Sequence, residues 1–325
     1  SFVFSSLASF VMIVINYLNT IITYIHMKDK YAFVLKSIKK DLSLLSKQPD
    51  LSGKTYIVSG ASRGIGLNIA KKLVQHGGNV TVIGKTQNPH PKLEGTIYSA
   101  LEELKSISNG KSTVLAFPCD IRKSLEMDIT IKETLKITGK IDGVVLNASA
   151  LCLNNTLRQT QKEVDLMSSV NINGTYLFGQ KCLQYMHKNK EGHMLMIAPP
   201  INMLYTDDWW TNHIYYSMSK FNMSLMAKFW NKEFANIGIN TLWPRTTINT
   251  APVKNLLGGD EMVNISRTVD IMGDAAYQIF AADPMVCNGK NFIDDEVLAS
   301  LDMDVEKYRV NPDLKEKELM PDFFC

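Results

Sequence analysis

One short arrangement constrains the fold more than any other part of the chain: an apolar strand, a glycine-rich turn and a helix follow one another without a gap. TYIVS (55–59) has the pattern of a strand, GASRGIG (60–66) that of the turn, and LNIAKKLVQHGG continues with helical spacing. Glycines here let the backbone approach a pyrophosphate, and the start of the next helix directs N–H groups at the anion. This order predicts a dinucleotide site rather than only a tight turn.

Three further apolar runs repeat the pattern of the first strand. NVTVIG, STVLAFPCD and IDGVVLNASA are separated by segments with helical spacing. Such alternation predicts a parallel sheet with helices on both faces. We therefore expect residues 51–325 to form one Rossmann-type, doubly wound α/β domain.

The residues at the ends of the second and third strands bear on the choice of dinucleotide. Sites for NAD usually place an Asp or Glu after the second strand, where it bonds the ribose 2′-hydroxyl. Lys85 stands there instead, and Arg63 lies in the glycine turn. Two cations favour a 2′-phosphate and predict NADP(H); alternatively, Lys85 is a solvated strand end. Asp120, at the end of the third strand, is placed to bond an adenine amino group.

The overall composition is that of a globular protein and excludes several classes. Of the 325 residues, 45% are hydrophobic and 21% charged. The five cysteines are far apart and predict reduced thiols, and the six histidines show no metal-ligand spacing. The net charge of +3 includes no basic stripe interleaved with aromatics, so nucleic acid is not an expected partner.

The first fifty residues differ from the rest of the chain. Residues 1–26 contain no Asp, Glu, Lys or Arg and predict a transmembrane helix. A signal peptide and a helix buried against a partner protein are the alternatives. Residues 27–50 contain six Lys and three Asp and predict a basic amphipathic helix. That helix lies either on an anionic bilayer or, solvated, against the main domain. The lipid bilayer is thus an expected partner of residues 1–50.

A Tyr and a Lys four residues apart, in YYSMSK (215–220), complete a recognisable set of motifs. With SGASRGIG, LNASA, VNINGTYL and the WP of NTLWPRT, they make residues 51–325 resemble the short-chain dehydrogenase/reductase family. KTQNPHPKLEGTIYSALEEL and IAPPINM narrow the resemblance to its branch of hydroxysteroid dehydrogenase-like proteins. The sterol-carrier domain that typically follows in that branch is not expected here.

The resemblance implies a catalytic role for three residues. Tyr216 would exchange a proton with the substrate oxygen, and Lys220 would lower the pKa of Tyr216 and hold the nicotinamide ribose. Asn171 would support Lys220 through an ordered water. The resemblance also assigns residues to the cofactor site: Gly60, Ser62, Arg63, Gly64, Ile65, Gly66, Lys85, Asp120, Ile121, Asn147, Ala148, Lys220 and Pro244.

The serine that usually accompanies this Tyr–Lys pair is missing. In the branch that this chain resembles, its hydroxyl falls at Ala198, and in most other family members at Pro199. Neither residue has a donor, and losing one such donor typically costs about 10²–10³ in rate. Asn202 and Tyr215 are the candidate substitutes.

Two functions of different classes are compatible with these features. The first is an accessory structural subunit of a membrane complex, expected in the mitochondrial inner membrane, that still binds NADP(H). The second is a membrane-anchored NADP(H)-dependent carbonyl reductase or alcohol dehydrogenase acting on a lipid-like substrate, with MLYTDDWW (203–210) and residues 246–275 lining an apolar pocket. The partners would be subunits of that complex or, since family members commonly pair through long helices, a second copy of the chain.

Overall fold

The computed structural model describes residues 50–90, 93–201, 213–285 and 287–323. The predicted transmembrane helix, almost all of the predicted amphipathic helix, and the stretches containing Asn202 and MLYTDDWW lie outside these ranges. Among the residues that the structure does describe, no helix is long and apolar enough to cross a membrane.

Seven parallel strands form a single sheet, as the alternating pattern predicts. Their order is β3-β2-β1-β4-β5-β6-β7, so the direction of winding reverses between β1 and β4. This reversal opens a crevice at the carboxyl ends of those two strands, which is where ligands bind in folds of this kind. The strands are β1 Thr55–Ser59, β2 Asn79–Gly84, β3 Val114–Pro118, β4 Gly143–Leu146, β5 His193–Ile197, β6 Gly238–Trp243 and β7 Asn291–Ile293.

Helices cover both faces of the sheet, which makes the fold a Rossmann-type doubly wound one. Helices α1, α2 and α8 pack on one face, and α3, α5 and α6 on the other. The α-helices are α1 Gly64–Gln75, α2 Ile97–Ser108, α3 Ser124–Thr138, α4 Gln161–Met167, α5 Thr175–Asn189, α6 Ile214–Glu233, α7 Gly259–Asn264, α8 Asp270–Ala281 and α9 Asp294–Ser300.

The central strands are buried along their whole length because helices cover both faces of the sheet. Every residue of TYIVS in β1 and of HMLMI in β5 is buried. Strands buried on both faces are nearly continuous apolar runs rather than alternating ones. Each face of the sheet accordingly has its own hydrophobic core.

A wide helical turn between α4 and α5 places one predicted site residue in the interior. Residues Ser168–Gly174 form a π-helical turn, and Asn171 within it is fully buried. Gly174 closes the turn, and a β-carbon there would lie 2.7 Å from the carbonyl oxygen of Ile121. The glycine therefore allows the wide turn to pack against the end of the third strand, a type of irregularity that is frequent at functional sites.

The burial of His193 at the start of β5 predicts an acid-sensitive stability. Burial lowers the pKa of this imidazole to about 4 from its ordinary value of 6.5, and the charge of Lys54 acts in the same direction. Between those two pH values the unfolded chain binds more protons than the folded one, so stability falls as the pH drops through that window. The full difference is on the order of 3 kcal/mol.

We therefore expect His193→Gln to lose less unfolding free energy than the wild type on acidification from pH 6.5 towards pH 4. Denaturant unfolding at several pH values measures this difference. His187→Gln, which changes an exposed histidine on α5, is the matched control and should follow the wild type. Parallel curves for His193→Gln and wild type would contradict the expectation.

Candidate active site

The glycine turn is packed tightly against the end of β4. Asn147 Nδ2 donates to the carbonyl oxygens of Ser59, at 2.9 Å, and Gly60, at 3.2 Å. A β-carbon on Gly60 would lie 2.9 Å from the Cα of Ala148, and one on Gly66 would lie 2.5 Å from Asn147 Nδ2. The turn therefore requires glycine at both positions, since any side chain would push it off β4.

The start of α1 offers a cradle for an anion. Gly64, its first residue, has φ +58°, and Arg63 before it is extended. No side chain caps this helix in the described structure. The nearest atom to a β-carbon on Gly64 would be Thr250 Cγ2, at 3.7 Å, which is an ordinary van der Waals distance. The space above the turn is therefore not closed by nearby backbone. Uncapped N–H groups at a helix start fit a pyrophosphate, so the residues present fit a dinucleotide.

The two cations predicted beside the ribose differ in their surroundings. Arg63 donates from Nε to Glu94 O at 2.7 Å and from Nη2 to Gly95 O at 2.5 Å, so its guanidinium fastens the loop that follows β2. The side chain of Lys85 is exposed. The Arg63 guanidinium is therefore engaged by two backbone carbonyls, whereas the Lys85 side chain lies in solvent.

Asp120 follows β3, as predicted, but its carboxylate is paired. Arg122 donates from Nε to Asp120 Oδ1 at 2.9 Å. The hydrogen bonds from Arg122 lower the pKa of Asp120, and the charge of Lys85 acts in the same direction. An adenine amino group would therefore share this carboxylate with Arg122.

The remaining predicted cofactor residues surround the same edge of the sheet. Ser62 is buried beneath the loop after β2, where a β-carbon on Gly95 would lie 2.6 Å from Ser62 O. Ile65 packs against one hydrophobic core, while Ile121 is buried in the other. Pro244 is buried directly after β6.

Tyr216 and Lys220 are both buried in the first turns of α6. Lys220 Nζ donates to Ile197 O at 2.6 Å and lies 5.3 Å from the ring centroid of Trp243. Burial lowers the pKa of Lys220 to about 7, which the negative charge of Asp322 partly opposes. Burial raises the pKa of the Tyr216 hydroxyl, as does Asp322. The tyrosine is thus a protonated donor beside a lysine that can gain or lose a proton near neutral pH.

Asn171 reaches α6 through a serine that was not predicted. Asn171 Nδ2 donates to Ser219 Oγ at 2.9 Å, and Ser219 Oγ donates to Tyr216 O at 2.7 Å. The same amide exchanges hydrogen bonds with the backbone of Ala150, at 2.7 and 2.9 Å. Ser219 stands between the Tyr and the Lys of YYSMSK, and its place in that motif is the signal that could have identified it.

The two positions expected for the serine are held by Ala198 and Pro199, which are both buried and have no hydroxyl. Ala198 is buried, and its N–H continues the pairing with β6 through Leu242 O at 3.2 Å. The carbonyl of Pro199 accepts a hydrogen bond from Ser224 Oγ at 2.6 Å. The hydroxyl of Tyr215, one of the two candidate substitutes, is hydrogen-bonded to Ser168.

A segment distant in sequence also reaches the tyrosine. The ring centroid of Phe323 lies 6.3 Å from that of Tyr216, with the planes 71° apart. The carbonyl of Phe323 accepts a hydrogen bond from Trp243 Nε1 at 2.7 Å. Nothing in local spacing indicates this contact, since 106 positions separate Phe323 from Tyr216.

The glycine cradle and the buried Tyr–Lys pair at one sheet edge define an oxidoreductase of the dinucleotide-binding type. The model of the short chain dehydrogenase family matches residues 54–256. The chain belongs to this family, and its fold implies a nicotinamide cofactor, NAD or NADP.

The chain is more specifically similar to hydroxysteroid dehydrogenase-like protein 2. The Danio rerio protein of that name is 39% identical over 285 residues, and the Homo sapiens protein is 40% identical over 277 residues. These matches cover 86% and 84% of this chain but only 66% and 64% of the relatives' own lengths. The resemblance to a hydroxysteroid dehydrogenase-like branch is confirmed.

Solved structures share the fold at comparable identity. A candidate dehydrogenase from Xanthomonas campestris has a TM-score of 0.78 and 37% identity, covering 85% of this chain and 99% of its own. A short chain dehydrogenase from Mycobacterium thermoresistibile has a TM-score of 0.76 and 37% identity, covering 84% of this chain and 95% of its own.

The packing of the glycine turn predicts that Gly66→Ala weakens dinucleotide binding. The added β-carbon would meet Asn147 Nδ2 at 2.5 Å and Gly60 O at 2.7 Å, which displaces the turn. We expect NADPH and NADH affinity to fall by about tenfold or more, because one displaced anion contact is worth that much. Fluorescence titration measures it. Gly139→Ala, at a helix end with φ +81° and nothing within 4 Å, strains the backbone away from the turn; it controls for lost stability and should bind like the wild type.

Proposed function

We propose that the chain is an NADP(H)-dependent carbonyl reductase or alcohol dehydrogenase that uses Tyr216 as its acid and base. One observation supports this most strongly: Tyr216 and Lys220 lie buried on α6 at the edge where the glycine turn lies, held there by Asn171 through Ser219. The nicotinamide, when bound, supplies the hydride for the carbonyl carbon. Tyr216 gives its hydroxyl proton to the carbonyl oxygen in reduction and takes it back in oxidation.

Lys220 supports both directions of that proton transfer. As an ammonium it stabilises the phenolate that forms when Tyr216 loses its proton. Because burial lowers the pKa of Lys220 to about 7, the amine can also pass a proton on near neutral pH. Substrate binding that brings further negative charge would favour the ammonium form.

Tyr216→Phe tests this proposal directly. General acid catalysis typically contributes about 10²–10⁴ in rate, so kcat for NADPH-dependent reduction of a ketone panel should fall by about 10² or more. NADPH affinity should change little, because the removed hydroxyl serves the substrate. Tyr185→Phe, which alters an exposed tyrosine on α5, is the matched control. Unchanged turnover in Tyr216→Phe would refute the catalytic role.

The preference for NADP(H) is supported by the end of β2. Residues 84–87, GKTQ, include no acid, and Lys85 is exposed beside the paired Asp120. A 2′-phosphate there would gain a charge-assisted hydrogen bond from Lys85, whereas a 2′-hydroxyl would lack its usual carboxylate partner.

We accordingly expect Lys85→Asp to weaken NADPH binding by about tenfold or more and to weaken NADH binding much less. Titrating both cofactors against the full chain gives the ratio of dissociation constants. Lys111→Asp makes the same charge change at an exposed position before β3, at the amino end of that strand, and should leave the ratio unchanged. Equal losses for NADPH and NADH in Lys85→Asp would remove the basis for the preference.

A second function is favoured by one specific feature, the apolar residues in the place of the catalytic serine. With Ala198 and Pro199 there, the chain would act as an NADP(H)-binding structural subunit of a mitochondrial inner-membrane complex, held to the bilayer by residues 1–50. An exposed apolar stripe on α6, formed by Ile214, Met218, Leu225 and Phe229, would then pack against a second copy of the chain or another subunit. Recovery of only a monomer after gentle solubilisation would count against this alternative.

A further inference from the structure

The last described residues of the chain form a segment, 319–323, that is held along the exit of β6. Thr247 N donates to Met320 O at 2.9 Å, and Asp322 N donates to Arg245 O at 3.0 Å. These two backbone hydrogen bonds fix the segment on either side of Pro321, which forms a β-bridge with Thr246. We call residues 319–323 the C-terminal segment.

Two more contacts place the end of this segment at the reacting group. The indole Nε1 of Trp243 donates to the carbonyl of Phe323 at 2.7 Å, which fixes its backbone. The Phe323 ring centroid then lies 6.3 Å from that of Tyr216 and 5.4 Å from that of His213. Both distances are within the range of direct aromatic contact. His213 is itself held, since its Nδ1 lies 3.0 Å from Leu153 O.

We propose that Phe323 forms a wall of the substrate site and, with His213, selects substrates that have a flat apolar group next to the reacting carbon. This inference rests on the proposed oxidoreductase function. A substrate oxygen that meets the Tyr216 hydroxyl must place its substituents beside the tyrosine ring. Phe323 and His213 are rings in contact with that tyrosine or with each other, and aromatic surfaces favour planar apolar groups over polar ones.

The fixed backbone of the C-terminal segment makes this a determinant of specificity rather than a passive cover. A ring held on a rigid backbone discriminates between ligands because it cannot move aside to accommodate them. The segment is anchored at Thr247, Arg245 and Trp243, which all follow or end β6. Its position is therefore tied to β6, the strand that Pro244 follows at the predicted cofactor site.

Ketone binding measured without turnover tests the wall. Acetophenone and acetone share a methyl ketone and differ in one flat ring. Their affinities are measured by ligand-observed NMR on the full chain, with NADP⁺ present and again without it. Neither condition supplies a hydride, so the ketones bind without being reduced. We expect wild type to bind acetophenone more tightly than acetone. Phe323→Ala should weaken acetophenone by about tenfold, a typical effect of lost apolar contact in a binding pocket, and leave acetone nearly unchanged.

Two further variants separate loss of the ring from loss of the fold. Phe323→Leu keeps apolar bulk without the ring and should give an intermediate affinity for acetophenone. Phe234→Ala removes another half-buried phenylalanine, at the opposite end of α6, and should bind both ketones like the wild type. Unchanged thermal unfolding of Phe323→Ala would show that its effect on acetophenone is local.

Several results would overturn the assignment. Acetophenone affinity equal to wild type in Phe323→Ala would show that the ring is no wall, and tighter affinity would show that it blocks the site. If the wild type bound acetophenone no better than acetone, the proposed selection for a flat apolar group would be wrong. A wild type that binds acetophenone through Phe323 but reduces no member of the ketone panel with NADPH would leave the wall in place and count against the proposed catalytic function instead.

Discussion

The arrangement of the site depends on one buried amide, that of Asn171. A carboxamide has two N–H donors and an oxygen that accepts two hydrogen bonds, and all four are used here. Nδ2 donates to Ala150 O and Ser219 Oγ, while Oδ1 accepts from Ala150 N and Ser149 Oγ. A side chain of another shape would leave buried polar groups unpaired, at about 1–3 kcal/mol each. The π-helical turn places this amide between two elements, the residues that follow β4 and helix α6.

The four residues 147–150 connect the two halves of the site mechanically. At one end Asn147 holds the glycine turn, through the carbonyls of Ser59 and Gly60. At the other end Ala150 is bonded to Asn171 and, through it, to α6, which contains Tyr216 and Lys220. The glycine turn and α6 are therefore joined by a short path of backbone and hydrogen bonds. This explains why the spacing between a dinucleotide cradle and a proton donor can be fixed without any direct contact between them.

The sequence predicted those parts of the site that depend on local order. The strand, glycine turn and helix of residues 55–75 follow one another, so their mutual position is a property of a short stretch. Arg63 also donates to the carbonyls of Glu94 and Gly95, which belong to an aperiodic loop whose path no spacing reveals. Phe323 was not predicted at all, because its contacts depend on how the residues after β6 and the C-terminal segment pair across the fold. The sequence shows that the serine is absent, but it does not show that the Tyr215 hydroxyl is hydrogen-bonded to Ser168.

The burial of Lys220 bears on which of the two functions this site serves. Removing an ammonium from water is costly, and the pKa of about 7 records that cost. Its hydrogen-bond partners are neutral, the Ile197 carbonyl and the Met223 sulfur, and the buried carboxyl of Asp322, whose own pKa is raised by burial, offsets the cost only in part. In a purely structural subunit, an apolar side chain of similar length would fill the same space without that cost. Energetically unfavourable groups are typically retained at sites where chemistry needs them. The lysine therefore favours an enzyme that works without its serine, slowed by the missing donor, over a fold kept only for assembly.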